Sequence, residues 1–185
     1  MRTIRGSPMA NRSKKVVLST RIAPHLKDGL ELFARVKNMK IVEAIEELID
    51  VALESYHIES PLRDLDGGKK KVPVSTLISW LWSEDPIIYK LRLAYLGHQY
   101  VDEETFIIAA EVMTPRFSGD FDLFEYTRKV ASYCRPPEAR GIDIVKVRSE
   151  WDSLVSYAKF VVSNKPLIVA YDDFITMLSK SKNSN

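Results

Sequence analysis

A row of potential hydrogen-bond donors lies near the amino terminus, in the stretch KKVVLSTRIAP that runs from Lys14 to Pro24. Because successive side chains of a β-strand point to opposite faces, alternate residues of this stretch would share a face. One face would carry side chains that mostly donate hydrogen bonds, namely Lys15, Val17, Ser19 and Arg21. The other would be mostly apolar and carry Val16, Leu18, Thr20 and Ile22. The alternation predicts a short strand over residues 15–22 with one hydrogen-bonding face and one core face.

Positive charge is concentrated around the same stretch. Residues 1–27 contain seven basic residues and no acidic one, although the whole chain has a formal net charge of only +2. The seven are Arg2, Arg5, Arg12, Lys14, Lys15, Arg21 and Lys27. Residues 28–66 hold ten acidic residues against four basic ones. This polarity predicts that the first block meets a polyanion, the alternative being a solvated basic tail.

The predicted strand needs a neighbour, because a single strand cannot satisfy its own backbone donors and acceptors. The segment that follows has helical periodicity instead, and it predicts one helix over residues 24–36 and another over about residues 41–56. Asn38 suits the break between them, since Asn tolerates the left-handed conformation that ends helices. The simplest neighbour is therefore the same strand of a second chain, which predicts a homodimer.

The whole chain is predicted to have a basic arm, a first domain, a linker and a second domain. Residues 1–13 show no periodicity and predict a flexible arm, followed by a domain over residues 14–58. Residues 59–73 hold two prolines, a Gly-Gly pair and three consecutive lysines, which predict a linker. Residues 74–180 return to helical periodicity and predict a helical carboxy-terminal domain.

Start and stop signals divide the second domain into helices. A short helix is predicted over residues 74–82, and Ser83 is predicted to cap a helix that ends at Gly97. Asp102 is predicted to cap the next helix, through about Met113. Further helices are predicted over residues 121–133, 149–163 and 166–178, and the alternation of IDIVKV allows a short strand before the second of these.

The order strand, helix, helix behind a basic arm resembles the ribbon-helix-helix family of DNA-binding proteins, the Arc/MetJ/CopG type. The matching pieces are VVLSTRI, PHLKDGLELFARVK and IVEAIEELIDVALESY, within about Lys14 to Tyr56. The resemblance implies an intertwined homodimer whose two strands pair into a ribbon that enters the DNA major groove. The implied fold class is mainly α, with a dimeric ribbon-helix-helix domain followed by a helical domain.

The resemblance also assigns roles to residues. Those that would face DNA bases are Val17, Ser19 and Arg21, and those suited to phosphates are Arg12, Lys14, Lys15 and Lys40. The dimer core would contain Leu18, Ile22, Leu30, Phe33, Ile45, Leu48, Ile49 and Ala52. This chain departs from the family pattern in two places: Asn38 replaces the usual turn glycine, and the start of the second helix offers only Lys40 as a phosphate ligand.

Each ribbon residue also has a chemical role and an alternative. Arg21 can donate two parallel hydrogen bonds to guanine O6 and N7, or it is simply an exposed strand charge. Ser19 can bond either purine or pyrimidine edges, or it is solvated. Val17 can contact a thymine methyl group, or it packs in a core or dimer interface. Lysines before the strand would bind phosphates, which adds affinity without sequence information.

The sequence does not predict an enzyme, a metal site or a cofactor. The histidines, His25, His57 and His98, lie in separate predicted elements and lack metal-ligand spacing. Cys134 is the only cysteine, so an intrachain disulfide is excluded and a reducing, cytoplasmic compartment is predicted. Gly67-Gly68-Lys69 lacks the strand and the spacing of a phosphate-binding loop. No apolar run is long enough to span a bilayer, so no membrane partner is expected.

Two hypotheses for function follow. The first is a sequence-specific dimeric DNA-binding protein, a transcriptional repressor or an accessory factor on plasmid or phage DNA. The second is a protein-interaction module, such as an antitoxin or assembly factor, in which the amino-terminal unit only dimerises and the carboxy-terminal domain binds a partner. The aromatic-rich second domain is open to three roles: binding an effector, binding a partner protein, or joining dimers into larger assemblies.

Overall fold

The computed structural model describes residues 16–63, 69–124 and 140–182. The chain divides into two compact units, Met1–Val51 and Ala52–Asn185. The described chain is mainly helical, as the sequence predicts, and it contains two small antiparallel sheets. None of the described helices combines the length and the apolar composition needed to cross a bilayer.

The amino-terminal unit contains the helix α1, Pro24–Lys37, and most of the helix α2, Ile41–Ser55. Pro24 opens α1, where its missing N–H leaves no hydrogen bond unmade. Asn38 ends α1 in the left-handed conformation, with φ 53°, and its N–H donates to carbonyls of the last turn. Both helices and the left-handed Asn38 are therefore confirmed.

Residues 16–23, which contain the predicted strand, lead into α1 without regular secondary structure. A strand is defined by hydrogen bonds to a neighbouring strand, and none of the described residues of this chain pairs with them. The ribbon of the predicted dimer requires a second chain, so it stays a prediction. Arg12, Lys14 and Lys15 lie outside the described residues.

The segment predicted as a linker forms a β-hairpin instead. Strand β1, His57–Arg63, pairs antiparallel with strand β2, Lys69–Pro73, and places Ile58 opposite Val72. Ile58 packs against the core of the second unit and Ser60 is buried, so alternate β1 residues face inward. Prolines and lysines suggested a linker, but both are also common on the edge strands of small sheets. The linker prediction is therefore wrong in its secondary structure.

The second unit continues with helices α3 to α7 and a second sheet. In chain order these are α3 Val74–Leu81, α4 Pro86–Leu96, α5 Glu103–Val112, β3 Ser118–Asp122, β4 Arg140–Ile142, α6 Ile144–Ser163 and α7 Tyr171–Lys182. Single 3₁₀ turns lie at residues 98–100 and 115–117. The helices enclose a core whose fully buried members include Leu81, Leu91, Val112, Phe117 and Leu154.

Several predicted boundaries in this unit need correction. Asp85, rather than Ser83, caps α4, because its carboxylate accepts the N–H groups of Ile87 and Ile88 at 2.8 and 3.4 Å. The predicted caps at Asp102 and Gly97 are confirmed. Residues 118–122 form β3 where a helix was expected to begin at 121, since this segment pairs with β4. Leu123 and Phe124 form a turn, and the remainder of that predicted helix, from residue 125 on, lies outside the described residues.

The last two helices also differ from their predicted bounds. Helix α6 begins at Ile144, earlier than predicted, because the Asp143 carboxylate accepts the Lys146 N–H at 2.9 Å and caps it there. Helix α7 begins at Tyr171, later than the predicted Pro166. The intervening residues form a turn at 164–166 and then lack regular secondary structure, and the Val169 carbonyl accepts a hydrogen bond from the Tyr157 hydroxyl at 2.9 Å.

A buried arginine joins three parts of this unit. Arg92 lies on α4 and is 5% exposed. Its guanidinium donates to the carbonyls of Leu81, Trp82 and Leu123 at 3.3, 3.0 and 2.6 Å. It thereby satisfies carbonyls at the end of α3 that have no partner within the helix. The apolar sequence around Arg92 gave no sign of this tertiary role.

Replacing Asp85 by Ala is expected to destabilise the second unit. The substitution removes the α4 cap and the contacts of the carboxylate with Arg148, whose Nε and Nη2 lie 3.0 and 2.7 Å away. Loss of a cap typically costs about 0.5–2 kcal/mol of unfolding free energy. Asp85→Asn is the matched control, because Asn also caps helices while it removes the charge. Urea unfolding followed by circular dichroism would measure both variants.

The contact between Asp85 and Arg148 predicts that the stability of the second unit depends on pH. Burial raises the pKa of Asp85, but hydrogen bonds from Arg148 and from the Ile87 and Ile88 N–H groups outweigh burial and leave this pKa lowered. A carboxylate with a lowered folded pKa stabilises the fold above its unfolded pKa of about 3.9, and this contribution disappears as the pH falls through the folded pKa. Wild type should therefore exceed Asp85→Asn in stability at neutral pH and converge with it in acid. A constant difference would contradict the ion pair's role.

Candidate nucleic-acid interface

The candidate interface begins with the described part of the basic segment, residues 16–23. All eight residues are exposed, and Val17 is 97% exposed. The predicted base-contacting residues, Val17, Ser19 and Arg21, are thus accessible in the single chain. Leu18 and Ile22, which were predicted to face a core, are exposed as well, at 74% and 49%. Burial within one chain therefore does not distinguish the two predicted faces.

Lys40, the phosphate candidate of the second helix, is exposed at the start of α2. Its carbonyl accepts the Ala44 N–H at 2.9 Å, which makes Lys40 the capping residue. Its own N–H donates to the Glu43 carboxylate at 2.9 Å, the side-chain half of a capping box. A carboxylate of the helix itself therefore occupies this N–H, and the exposed Lys40 side chain is the predicted phosphate contact.

Two other lysines of the unit are held by acidic neighbours. Lys27 donates to Glu31 at 2.6 Å, one turn along α1. This hydrogen bond and the opposite charges raise the pKa of Lys27 and lower that of Glu31. Lys37 at the end of α1 lies 3.1 Å from Glu47 of α2 and 5.5 Å from the Phe33 ring centroid. Lys27 belongs to the basic block of the sequence, but its charge is partly compensated locally.

The predicted dimer-core residues of α1 and α2 are incompletely covered in the single chain. Leu30, Phe33 and Ile45 are half-buried. Three further members are exposed, namely Leu48, Ile49 and Ala52. Within the described part of the unit, the buried residues are two alanines, Ala34 and Ala44. The helix pair therefore has an apolar stripe, made of these predicted core residues, but no core of large side chains.

Exposed apolar side chains are concentrated in this unit. Twelve of the 19 exposed large apolar residues of the described chain lie at or before Val51. Six of them lie on α1 and α2 outside the predicted dimer core, namely Leu26, Leu32, Val36, Ile41, Val42 and Val51. Leu26 and Ile41 recur at helical spacing with the predicted core residues, which is the signal that would have included them. Apolar surface on this scale is typical of an interaction site.

The second unit contains a polar cluster that joins α6 and α7. Glu150 accepts hydrogen bonds from Arg116 at 3.2 Å and from the Tyr171 hydroxyl at 3.1 Å, and Arg116 also pairs with Asp172. Burial and the hydrogen bond to Glu150 raise the pKa of Tyr171 to about 12. The Arg116 guanidinium lies 4.9 Å from the Tyr171 ring centroid. These groups bind one another, so the cluster is explained by the packing of α7.

The described residues contain no candidate metal site, because no group of three His, Cys, Asp or Glu side chains among them is suited to one ion. Asp172 and Asp173 lie in the first turn of α7, where the positive helix end favours negative charge. No family model matches the sequence, and comparison with characterised proteins and with solved structures gave no significant match.

Proposed function

We propose that this protein is a homodimeric, sequence-specific DNA-binding protein that acts as a transcriptional repressor or as an accessory factor on plasmid or phage DNA. In this proposal the segment around residues 15–22 pairs with its copy in a second chain. The resulting two-stranded ribbon enters the major groove, which is wide enough to admit it.

The observation that carries the proposal is the uncovered apolar stripe of α1 and α2. Two isolated helices of this length are marginal in water unless an amphipathic face is buried. The described part of this unit buries only alanines, while Leu48 and Ile49 remain 43% and 44% exposed. A second copy has the same apolar stripe, so a two-fold dimer would bury the two stripes against each other.

The distribution of charge supports DNA as the ligand of the dimer. Six of the seven basic residues of the first block lie before or within residues 16–23, whereas α2 carries five carboxylates that a phosphate backbone would repel. The basic segment is therefore the part of the unit suited to DNA, and α2 is suited to the dimer core. Within that segment Arg21 is exposed and its forked donors match guanine.

Arg21→Ala is expected to relax sequence preference, while Lys15→Ala is expected to weaken binding to all sequences alike. A bidentate contact of Arg to guanine contributes about 1–3 kcal/mol of discrimination between bases. A phosphate contact contributes affinity without discrimination. Selection of bound sites from a random DNA pool would name the preferred operator. Fluorescence anisotropy would then compare each variant on that operator and on single-base substitutions of it.

Ser19→Ala and Arg35→Ala extend the same assay, and Arg35→Ala is its control. The first removes a smaller donor from the proposed reading face, and the second removes an exposed arginine of α1 outside it. Arg35→Ala should leave the order of preferred bases unchanged. If Arg21→Ala and Lys15→Ala reduce affinity for every sequence by the same factor, direct base reading by Arg21 is wrong.

The second candidate function, a protein-interaction module, is favoured by the same apolar stripe. Under this alternative the amino-terminal unit dimerises but ignores DNA, and the second unit holds a protein partner. Binding of the full chain to random duplex DNA at low salt separates the two. A dimer that shows no DNA affinity under those conditions would support the interaction module and exclude the DNA-binding proposal.

A further inference from the structure

A cleft in the second unit is independent of the proposed DNA interface. It lies between one face of α4 and the chain from the 3₁₀ turn into α5, and its volume is about 490 Å³. This size falls within the range of about 300–1,000 Å³ that is typical of small-molecule sites. On the α4 side, Pro86, Tyr89, Lys90 and Leu93 recur at helical spacing and form one wall.

The lining of the cleft is mostly apolar and partly aromatic. Tyr89 and Tyr100 contribute rings from opposite walls, and Leu93 and Val101 contribute aliphatic surface. Trp82 extends this surface beside the cleft, with its ring centroid 5.4 Å from that of Tyr89 and 45% of the residue exposed. Such a lining favours a ligand with a flat apolar group, because aromatic pairs gain energy beyond the area they bury.

Two opposite charges line the same cleft from its two walls. Lys90 lies on the α4 wall, and none of the described acidic side chains forms an ion pair with it. Asp102 lies at the start of α5, where its Oδ1 accepts the Thr105 N–H at 2.7 Å and its carboxylate also hydrogen-bonds to the Thr105 side chain. A carboxylate has acceptor sites on both oxygens, so Asp102 can cap α5 and still accept from a ligand. Hydrogen bonds from Thr105 and the charge of Lys90 lower the pKa of Asp102, which keeps it ionised.

We propose that this cleft binds a small zwitterion with an apolar ring, of the aromatic α-amino-acid class. The ligand carboxylate would pair with Lys90, and its ammonium would pair with Asp102. Its ring would lie against Tyr89, Tyr100 and Leu93. A ligand with a single charge forms only one of these two charge-assisted hydrogen bonds, so it is expected to bind more weakly.

The test uses the full-length protein and three probes in isothermal titration calorimetry. L-Phenylalanine carries both charges, 3-phenylpropanoate lacks the ammonium, and 2-phenylethylamine lacks the carboxylate. We expect saturable binding of L-phenylalanine and affinities about tenfold or more weaker for each single-charge analogue. Absence of saturable binding of L-phenylalanine up to about 10 mM, a concentration at which even a weak ligand populates its site, would overturn the proposal.

Two charge variants assign the contacts, and neither should disturb the fold. Lys90→Gln alters an exposed helical position, and Asp102→Asn retains a good helix cap. Lys90→Gln should weaken L-phenylalanine and 3-phenylpropanoate but not 2-phenylethylamine. Asp102→Asn should weaken L-phenylalanine and 2-phenylethylamine but not 3-phenylpropanoate. If both variants bind L-phenylalanine like wild type, recognition of a zwitterion by this cleft is wrong.

Leu93→Trp places a large ring in the cleft and tests the location of the site. We expect it to abolish binding of all three probes while circular dichroism shows unchanged helix content. Leu32→Trp, at an exposed position of α1, is the matched control and should bind like wild type. Equal binding by Leu93→Trp and wild type would place the site elsewhere and overturn the proposal.

Discussion

Replacing Leu48 by Asp is expected to convert the dimer into monomers and to abolish DNA binding. Leu48 belongs to the apolar stripe of α2 and is 43% exposed in the single chain, so one chain tolerates a charge there. In the proposed dimer the same position is buried. An uncompensated buried charge costs roughly 3–5 kcal/mol, and a two-fold dimer contains the substitution twice. The dissociation constant of the dimer should therefore rise by at least about 10⁴-fold.

Leu32→Asp is the control for this experiment. It is the same chemical change in the same unit, but Leu32 is 63% exposed and lies outside the predicted dimer core. Sedimentation equilibrium would give the mass of each variant, and fluorescence anisotropy would give its DNA affinity. Leu32→Asp should keep the mass of a dimer. A Leu48→Asp protein that remains a dimer with wild-type affinity would show that the stripe has another occupant.

The DNA affinity of the wild-type protein is expected to fall steeply with salt. Binding of a basic segment to DNA releases the counterions condensed on each phosphate it neutralises. If the dimer neutralises about 6–10 phosphates, affinity should drop by about 10³–10⁵-fold between about 50 and 200 mM salt. Fluorescence anisotropy on one duplex across this range measures the slope of the logarithm of affinity against the logarithm of salt concentration. A flat response would contradict binding of a polyanion at this segment.

Two double variants test which lysines are responsible for the salt dependence of DNA affinity. Removing Lys14 and Lys15 takes away two charges per chain, or four per dimer, and should reduce the slope by roughly 3.6. Removing Lys70 and Lys71 of the hairpin takes away the same number of charges outside the proposed interface. The hairpin variant should keep the wild-type slope. Equal slopes for both double variants would remove the reason for placing DNA at the amino-terminal segment.

Local signals in the sequence determined much of the helical structure. Pro24 begins α1 and Asn38 ends it, because Pro suits the first helical turn and Asn tolerates positive φ. Asp102 caps α5 and Gly97 ends α4 for similarly local reasons. Such signals act over three or four residues, so they can be read without a partner element. The mainly helical class follows from them and from the apolar periodicity.

Structure that depends on distant residues could not be predicted from these signals. The hairpin exists because β1 and β2 pair with each other and β1 packs inward through Ile58. Arg92 has its role because α4 crosses the end of α3 and the turn at Leu123, which brings three carbonyls to one guanidinium. In each case the favourable energy comes from groups far apart in the chain, and their meeting is invisible to local periodicity.

The two candidate sites differ in the same way, because one depends on local sequence and the other depends on residues that are distant in the chain. The amino-terminal site was predicted from the sequence alone, because alternation, charge and helical spacing are all local properties of residues 14–56. The cleft between α4 and α5 was not found, since its charges Lys90 and Asp102 become neighbours only when the chain turns back after Gly97. Composition and local pattern thus predicted most of the helices and a basic segment that is proposed to bind DNA. Tertiary packing decided which side chains are buried, which lysines are paired, and where the cleft that is proposed to bind a small ligand lies.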